Sequence, residues 1–129
     1  MAELVFAVEL KGKAAPVGAD PSQLKAVTSG PGPQKELVNF ESTVALTGGT
    51  FKENGTIRYG NRGGVRFETM GDGFIGPSPV QDIMAGAVIW TITEGDGEFS
   101  GAKGYITSNF TVSGEGDVVD NHYARIYLP

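Results

Sequence analysis

The sequence predicts an all-β fold, a closed antiparallel barrel of about eight strands with little helix, in which residues 1–129 form a single barrel domain. Three observations carry this reading. Period-two alternation of apolar and polar residues recurs along the chain, the pattern of a strand with one buried face. Twenty glycines and seven prolines interrupt it at short intervals, as expected of short strands joined by tight turns. Strand-like segments also stand near both ends, an order that closure into a barrel completes by removing exposed edges. A chain of this length buries a core without staples. An eight-strand interior is just wide enough for its own side chains or one small ligand.

The elements follow in order. Residues 3–10 alternate, with Leu4, Phe6, Val8 and Leu10 on one face and Glu3, Val5, Ala7 and Glu9 on the other. Gly12, Pro16 and Gly18 predict a loop over 11–20. Residues 20–23 suit the cap of one helical turn, and 24–28 a short strand. Residues 29–33 (SGPGP) are predicted to lie outside any central strand, since proline lacks the N–H. Residues 36–47 alternate most clearly, with Val38, Phe40, Ser42, Val44 and Leu46 sharing a face. Residues 51–59 predict a strand broken by Asn54-Gly55, a hairpin-turn dipeptide. Residues 65–70 alternate again. Residues 71–79 read as a loop, and 80–85 are ambiguous between a helical turn and a strand. Residues 86–94 and 104–113 predict two paired strands around a glycine-rich reversal, with Phe99 packed into the barrel end. Residues 114–117 form a tight hairpin leading into a closing strand, 118–128, where His122, Ala124, Ile126 and Leu128 share a face.

Composition removes several functional classes. The formal charge is −5, whereas phosphate binding wants a clustered Lys/Arg face, so nucleic acid is not an expected partner. The chain has no cysteine and one histidine, which excludes thiolate chemistry and a multi-His metal site within one chain; no metal and no cofactor are expected. The N-terminal MAELVFAVELKGK lacks a basic n-region, and no apolar run reaches the roughly 18–20 residues of a membrane span. Cytoplasmic residence, without a membrane partner, is the resulting expectation. The glycines of GDGEFSGAKG lack the spacing of a phosphate loop.

Residues 90–112, WTITEGDGEFSGAKGYITSNFTV, resemble the allene oxide cyclase and dirigent β-barrel group, in which a run of the form ITGGxGxFxG links two strands. Glu9 with Pro16 soon after, and the piece Leu37-Val38-Asn39-Phe40, fit the same frame. The resemblance implies an allene oxide cyclase-like barrel that encloses a long apolar substrate and acts on it with few polar groups. It places the family's carboxylate on Glu9 and its proline on Pro16. The family's asparagine, serine and pocket aromatic fall near Ser42, Ala15 and Ile89, which differ from them. It also implies that Phe40, Ser42, Val44, Ala87 and Ile89 line the barrel, that Val88 and Trp90 face outward, and that the chain forms a homo-oligomer, a trimer or dimer.

The candidate catalytic residues are Glu9, Tyr105 and Asn109; the candidate substrate-binding residues are Phe40, Ser42, Val44, Phe67 and Ile89. If Glu9 points into a closed cavity, burial raises its pKa and suits it to acid, base or cation-stabilising work. If it faces solvent, that mechanism fails. Tyr105, Thr107, Asn109 and Thr111 share one face. Turned inward, Tyr105 donates to a developing oxyanion and Asn109 holds a carbonyl; turned outward, they are an ordinary hydroxyl-rich strand surface. Arg66 and Glu68 either orient a ligand or belong to an exposed ion-pair ladder. His122 is the one imidazole, with no triad spacing around it. The expected activity is that of a cofactor-free isomerase, cyclase or lyase on an apolar or phenolic small molecule. The alternative is a non-catalytic binding protein for a hydrophobic metabolite.

Overall fold

The computed structural model describes residues 2–129. Nine strands form one antiparallel sheet: β1 (Ala2–Val17), β2 (Asp20–Pro31), β3 (Leu37–Thr47), β4 (Thr50–Tyr59), β5 (Gly64–Thr69), β6 (Gly73–Pro77), β7 (Ile83–Gly95), β8 (Lys103–Ser113) and β9 (Asp117–Leu128). β5 and β6 share one station, since both lie between β4 and β7. The sheet therefore has eight stations. Pairing of β1 with both β2 and β9, and of β3 with β4, closes it. The only helix among the described residues is one 3₁₀ turn, Gly97–Phe99.

Alternation places one face of each strand inside. Leu10, Val38, Phe40, Ile57, Phe67, Trp90, Ile106 and Ile126 form the buried core. At one end the 3₁₀ turn drives Phe99 into the barrel, fully buried, with its ring 5.0 Å from that of Tyr59. Gly97 makes that turn with φ of 58°. Asp96 anchors it by accepting from the Gly64 N–H at 3.1 Å and from Arg58 at 2.7 Å. Arg62 lies 5.4 Å above the Phe99 ring and pairs with Glu36 at 2.9 Å, which covers the plug.

Several local expectations are corrected. β1 runs on to Val17, so residues 11–17 are strand rather than loop, and Pro16 lies at a register shift near the strand end. Asp20 caps no helical turn; its carboxylate accepts from the Ser22 N–H at 2.9 Å where β2 begins. β2 extends through Gly30 to Pro31, where proline costs little because the strand ends there. Asn54-Gly55 lies within β4 and makes no hairpin. Gly55 stands there because β3 passes so closely that a Cβ would run into the Glu41 carbonyl oxygen. Residues 80–82 turn, and β7 begins at Ile83.

The inward face of β7 is also corrected. Val88, Trp90 and Ile92 are buried, whereas Ala87 and Ile89 are exposed. Burial of the indole and two branched side chains outweighs that of an alanine and one isoleucine, so the larger apolar set takes the inside. Trp90 is thus a core residue and no contact for a partner subunit.

Truncation of the plug tests this account of the closed end. Phe99→Ala is expected to destabilise the barrel by about 3–5 kcal/mol, and Gly55→Val by about 2–4 kcal/mol through the backbone shift it forces. Urea unfolding of both variants checks this, and an unchanged midpoint for either removes its stated role.

Candidate functional site

The opposite end of the barrel, where the β1–β2, β3–β4 and β8–β9 hairpins lie, holds a small cavity of about 70 Å³. Its upper wall is apolar: Leu24, Val44, Leu46, Phe51, Ile75 and Phe110. Its floor is not. Thr28, Glu53, Ser108 and Asp120 line it beside Phe40 and Trp90.

The strands dictate this floor. On β4 the inward positions are Phe51, Glu53, Gly55, Ile57 and Tyr59, so Glu53 enters by parity. On β9 they are Val118, Asp120, His122, Ala124 and Ile126. β5 ends at Thr69 beside Glu53, and its hydroxyl replaces the missing ladder: it accepts from the Glu53 N–H at 2.6 Å and donates to the Glu53 carbonyl at 2.8 Å. The backbone carrying the carboxyl is thereby held where the sheet changes from β5 to β6.

Each carboxyl has two partners. Glu53 accepts from the Ser42 hydroxyl at 2.5 Å and from the Trp90 indole N–H at 3.1 Å. Asp120 accepts from the Ser108 hydroxyl at 2.5 Å, and its other oxygen meets His122 Nε2 at 2.9 Å. His122 is buried, with its ring 5.0 Å from that of Trp90 and 5.5 Å from that of Phe40. Its Nδ1 and the Thr28 hydroxyl oxygen have no hydrogen-bond partner among the described residues.

Burial pushes the Glu53 carboxyl up to about 7, aided by the charge of Asp120 and opposed by the bonds from Ser42 and Trp90. Desolvation wins because two neutral donors do not replace the hydration of a carboxylate. Near neutral pH, Glu53 therefore holds or releases a proton at little cost, which is the property of a general acid or base. The carboxyl meets Ser42 from β3, Trp90 from β7 and the charge of Asp120 from β9, while Thr69 from β5 holds its backbone. No lysine or arginine lines the cavity among the described residues. No cluster of three His, Cys, Asp or Glu capable of holding a metal ion occurs among them either.

The residues singled out in the sequence divide between the two faces. Phe40, Ser42 and Phe67 are buried inside the barrel, and Val44 lines the cavity. Phe67 packs 4.5 Å from the Trp90 ring and lies beneath the floor rather than on it. Glu9 is on the outside, half exposed, 3.7 Å from Lys11. Its alternation with Val8 and Leu10 already opposes it to the apolar face, and closure turns that face inward. Tyr105, Asn109 and Ile89 also point outward, because Ile106, Ser108, Val88 and Trp90 occupy the inward parity. Ala15 and Pro16 are exposed as well. None of Glu9, Tyr105, Asn109 or Ile89 reaches the cavity. Arg66 belongs to an exposed ladder, its partner being Glu94 across the sheet at 3.7 Å.

Sequence reasoning missed Glu53, Asp120, Ser108 and Thr28. Asp120 shares the face of His122, Ala124 and Ile126, and that alternation was available. Glu53 was hidden by reading Asn54-Gly55 as a turn, which cut the run Phe51-Glu53-Gly55-Ile57-Tyr59 in two. Compared with known proteins, the chain matches no protein-family model, no curated protein and no solved structure.

A raised carboxyl pKa predicts the pH dependence of stability. The ordinary value is 4.5, and the folded value is about 7. Between these values the native state keeps a proton that the unfolded chain has released, so this group's contribution falls as pH rises from about 4.5 to about 7. The loss is on the order of 3 kcal/mol. Glu53→Gln, which stays neutral, is expected to flatten this part of the profile and to exceed the wild type in stability at pH 8. Denaturant titrations at pH 5 and pH 8 check this; an equal slope in both proteins refutes the assignment.

Proposed function

We propose that the protein is a small cofactor-free isomerase, cyclase or lyase that moves a proton on an apolar or phenolic molecule held inside the barrel. The observation that carries this reading is Glu53, a buried carboxyl pushed up to about 7 at the floor of an apolar cavity. A carrier of a neutral ligand gains nothing from the desolvation of such a group.

The chemistry follows from the pair. Protonated Glu53 gives its proton to an oxygen or an unsaturated carbon of the substrate, and Asp120 stabilises the positive charge that develops. Ionised Glu53 then takes a proton from an adjacent carbon. The result is an isomer when no group leaves and an elimination product when one does; Glu53 ends as it began. Ser42 and Trp90 hold Glu53 in position, and Ser108 and His122 hold Asp120, so little reorganisation accompanies proton transfer. The apolar mouth excludes competing water. Val5, Ile89, Tyr105 and Tyr123, exposed on the outer faces of neighbouring strands β1, β7, β8 and β9, support self-association of the barrel.

A second reading, a non-catalytic binding protein for a hydrophobic metabolite, is favoured by the fact that all four carboxyl oxygens already have partners. Incubation of the protein with a metabolite extract in D₂O separates the two. The enzyme is expected to convert at least one apolar or phenolic component, with deuterium incorporated at carbon and read by mass spectrometry. Glu53→Gln is expected to lower that rate by about 10²–10⁴-fold while native mass spectrometry still finds the ligand bound. Ligand retention by the wild type without any conversion establishes the binding protein instead.

A further inference from the structure

The floor of the cavity has an imbalance of charge and of hydrogen bonding. Glu53 and Asp120 are the only ionisable residues lining it among those described. They are close enough that the charge of Asp120 disfavours ionisation of Glu53. The nearest basic group, His122, meets Asp120 from within the core and does not line the cavity. Thr28 is 2% exposed, lines the cavity, and its hydroxyl oxygen has no partner among the described residues. Four aromatic rings, those of Phe40, Phe51, Trp90 and Phe110, complete the wall.

We propose that the ligand of this cavity is an apolar organic cation, an ammonium head on a slim hydrocarbon body, seated with its head against Glu53, Asp120 and Thr28. The inference rests on the reading of the cavity as a ligand site and narrows its ligand from an apolar or phenolic molecule to an apolar one that carries a cationic head. An ammonium group is donor-only, and the floor offers acceptors: ionised carboxylates keep lone-pair sites beyond the bonds they already accept, and the Thr28 oxygen has its own. A positive head removes the repulsion between the two acids, which burial makes costly. Aromatic faces attract a cation, and more strongly where water is excluded. A carboxylate ligand meets the opposite conditions, with no cationic residue on the wall to receive it. A neutral alcohol satisfies Thr28 and leaves the charges as they were. The net charge of −5 also favours approach of a cation.

Three probes of one length separate these cases: n-hexylammonium, 1-hexanol and hexanoate. Trp90 is the only tryptophan and its indole N–H bonds Glu53, so its fluorescence reports occupancy directly. At pH 8, hexylammonium is expected to bind at least about tenfold more tightly than hexanol, with hexanoate weakest. Its affinity is expected to fall about tenfold between pH 8 and pH 6 as Glu53 takes up a proton. Thr28→Val, close in shape, is expected to weaken hexylammonium about threefold or more, with the unfolding midpoint confirming that the barrel is intact. Glu53→Gln is expected to collapse most of the preference for hexylammonium over hexanol. Hexanol binding as tightly as hexylammonium, preferential binding of hexanoate, or an unchanged preference in Glu53→Gln overturns the cation assignment and leaves the cavity a ligand site. Binding of none of the three overturns both.

Discussion

Closure of the sheet is the constraint on which the rest of this structure depends. A strand presents alternate side chains to its two faces, and a closed sheet has one face inside and one outside. Once β1 pairs with β9 from Ala2↔Leu128 to Lys13↔Asp117, and β3 pairs with β4, every strand must commit one parity to the interior. That commitment buries Trp90, Phe40 and Phe67 as a contiguous aromatic group. The same commitment brings Glu53 and Asp120 inside, because they share parity with residues that cannot be left in water.

The two ends of the barrel then solve different problems. One end is filled: Phe99 is set into it by a glycine-initiated 3₁₀ turn, and Arg62 and Glu36 cover it. The other end keeps its apolar rim and places its polar atoms at depth. An interior that served only for packing would use hydrocarbon throughout, since buried acids lower stability even when hydrogen-bonded. Here each acid has a hydroxyl donor and a ring-nitrogen partner, so the groups are aimed as well as tolerated. Thr69, bonded twice to the Glu53 backbone, extends the same precision to the main chain.

The allene oxide cyclase frame and the geometry of the barrel agree on β3 and part on β1 and β7. Glu9, Tyr105, Asn109 and Ile89 lie on the outer surface, so a ligand inside the barrel cannot meet them. Phe40, Ser42 and Val44, which alternation puts on one face and the same resemblance places inside, are inside. Period-two alternation records which residues share a face, because parity is a physical property of the strand. It failed where a turn signal overrode it: Asn54-Gly55 has the composition of a hairpin turn, yet Gly55 is required by the close passage of β3. A turn reading of that dipeptide hid Glu53.

The chain by itself determined the fold class, the number of barrel stations and the two-sidedness of most strands. These follow from period-two alternation and from glycine and proline placement, which act over a few residues. Only the tertiary structure decided which face of β7 turns inward, that β5 and β6 share a station, and that Glu53, Asp120, Ser108 and Thr28 meet at one floor. Those residues come from β4, β9, β8 and β2 and are separated by up to 92 positions, from Thr28 to Asp120. Their meeting, and the shift of the Glu53 carboxyl, depend on desolvation by the whole barrel. Desolvation exists only once the sheet has closed.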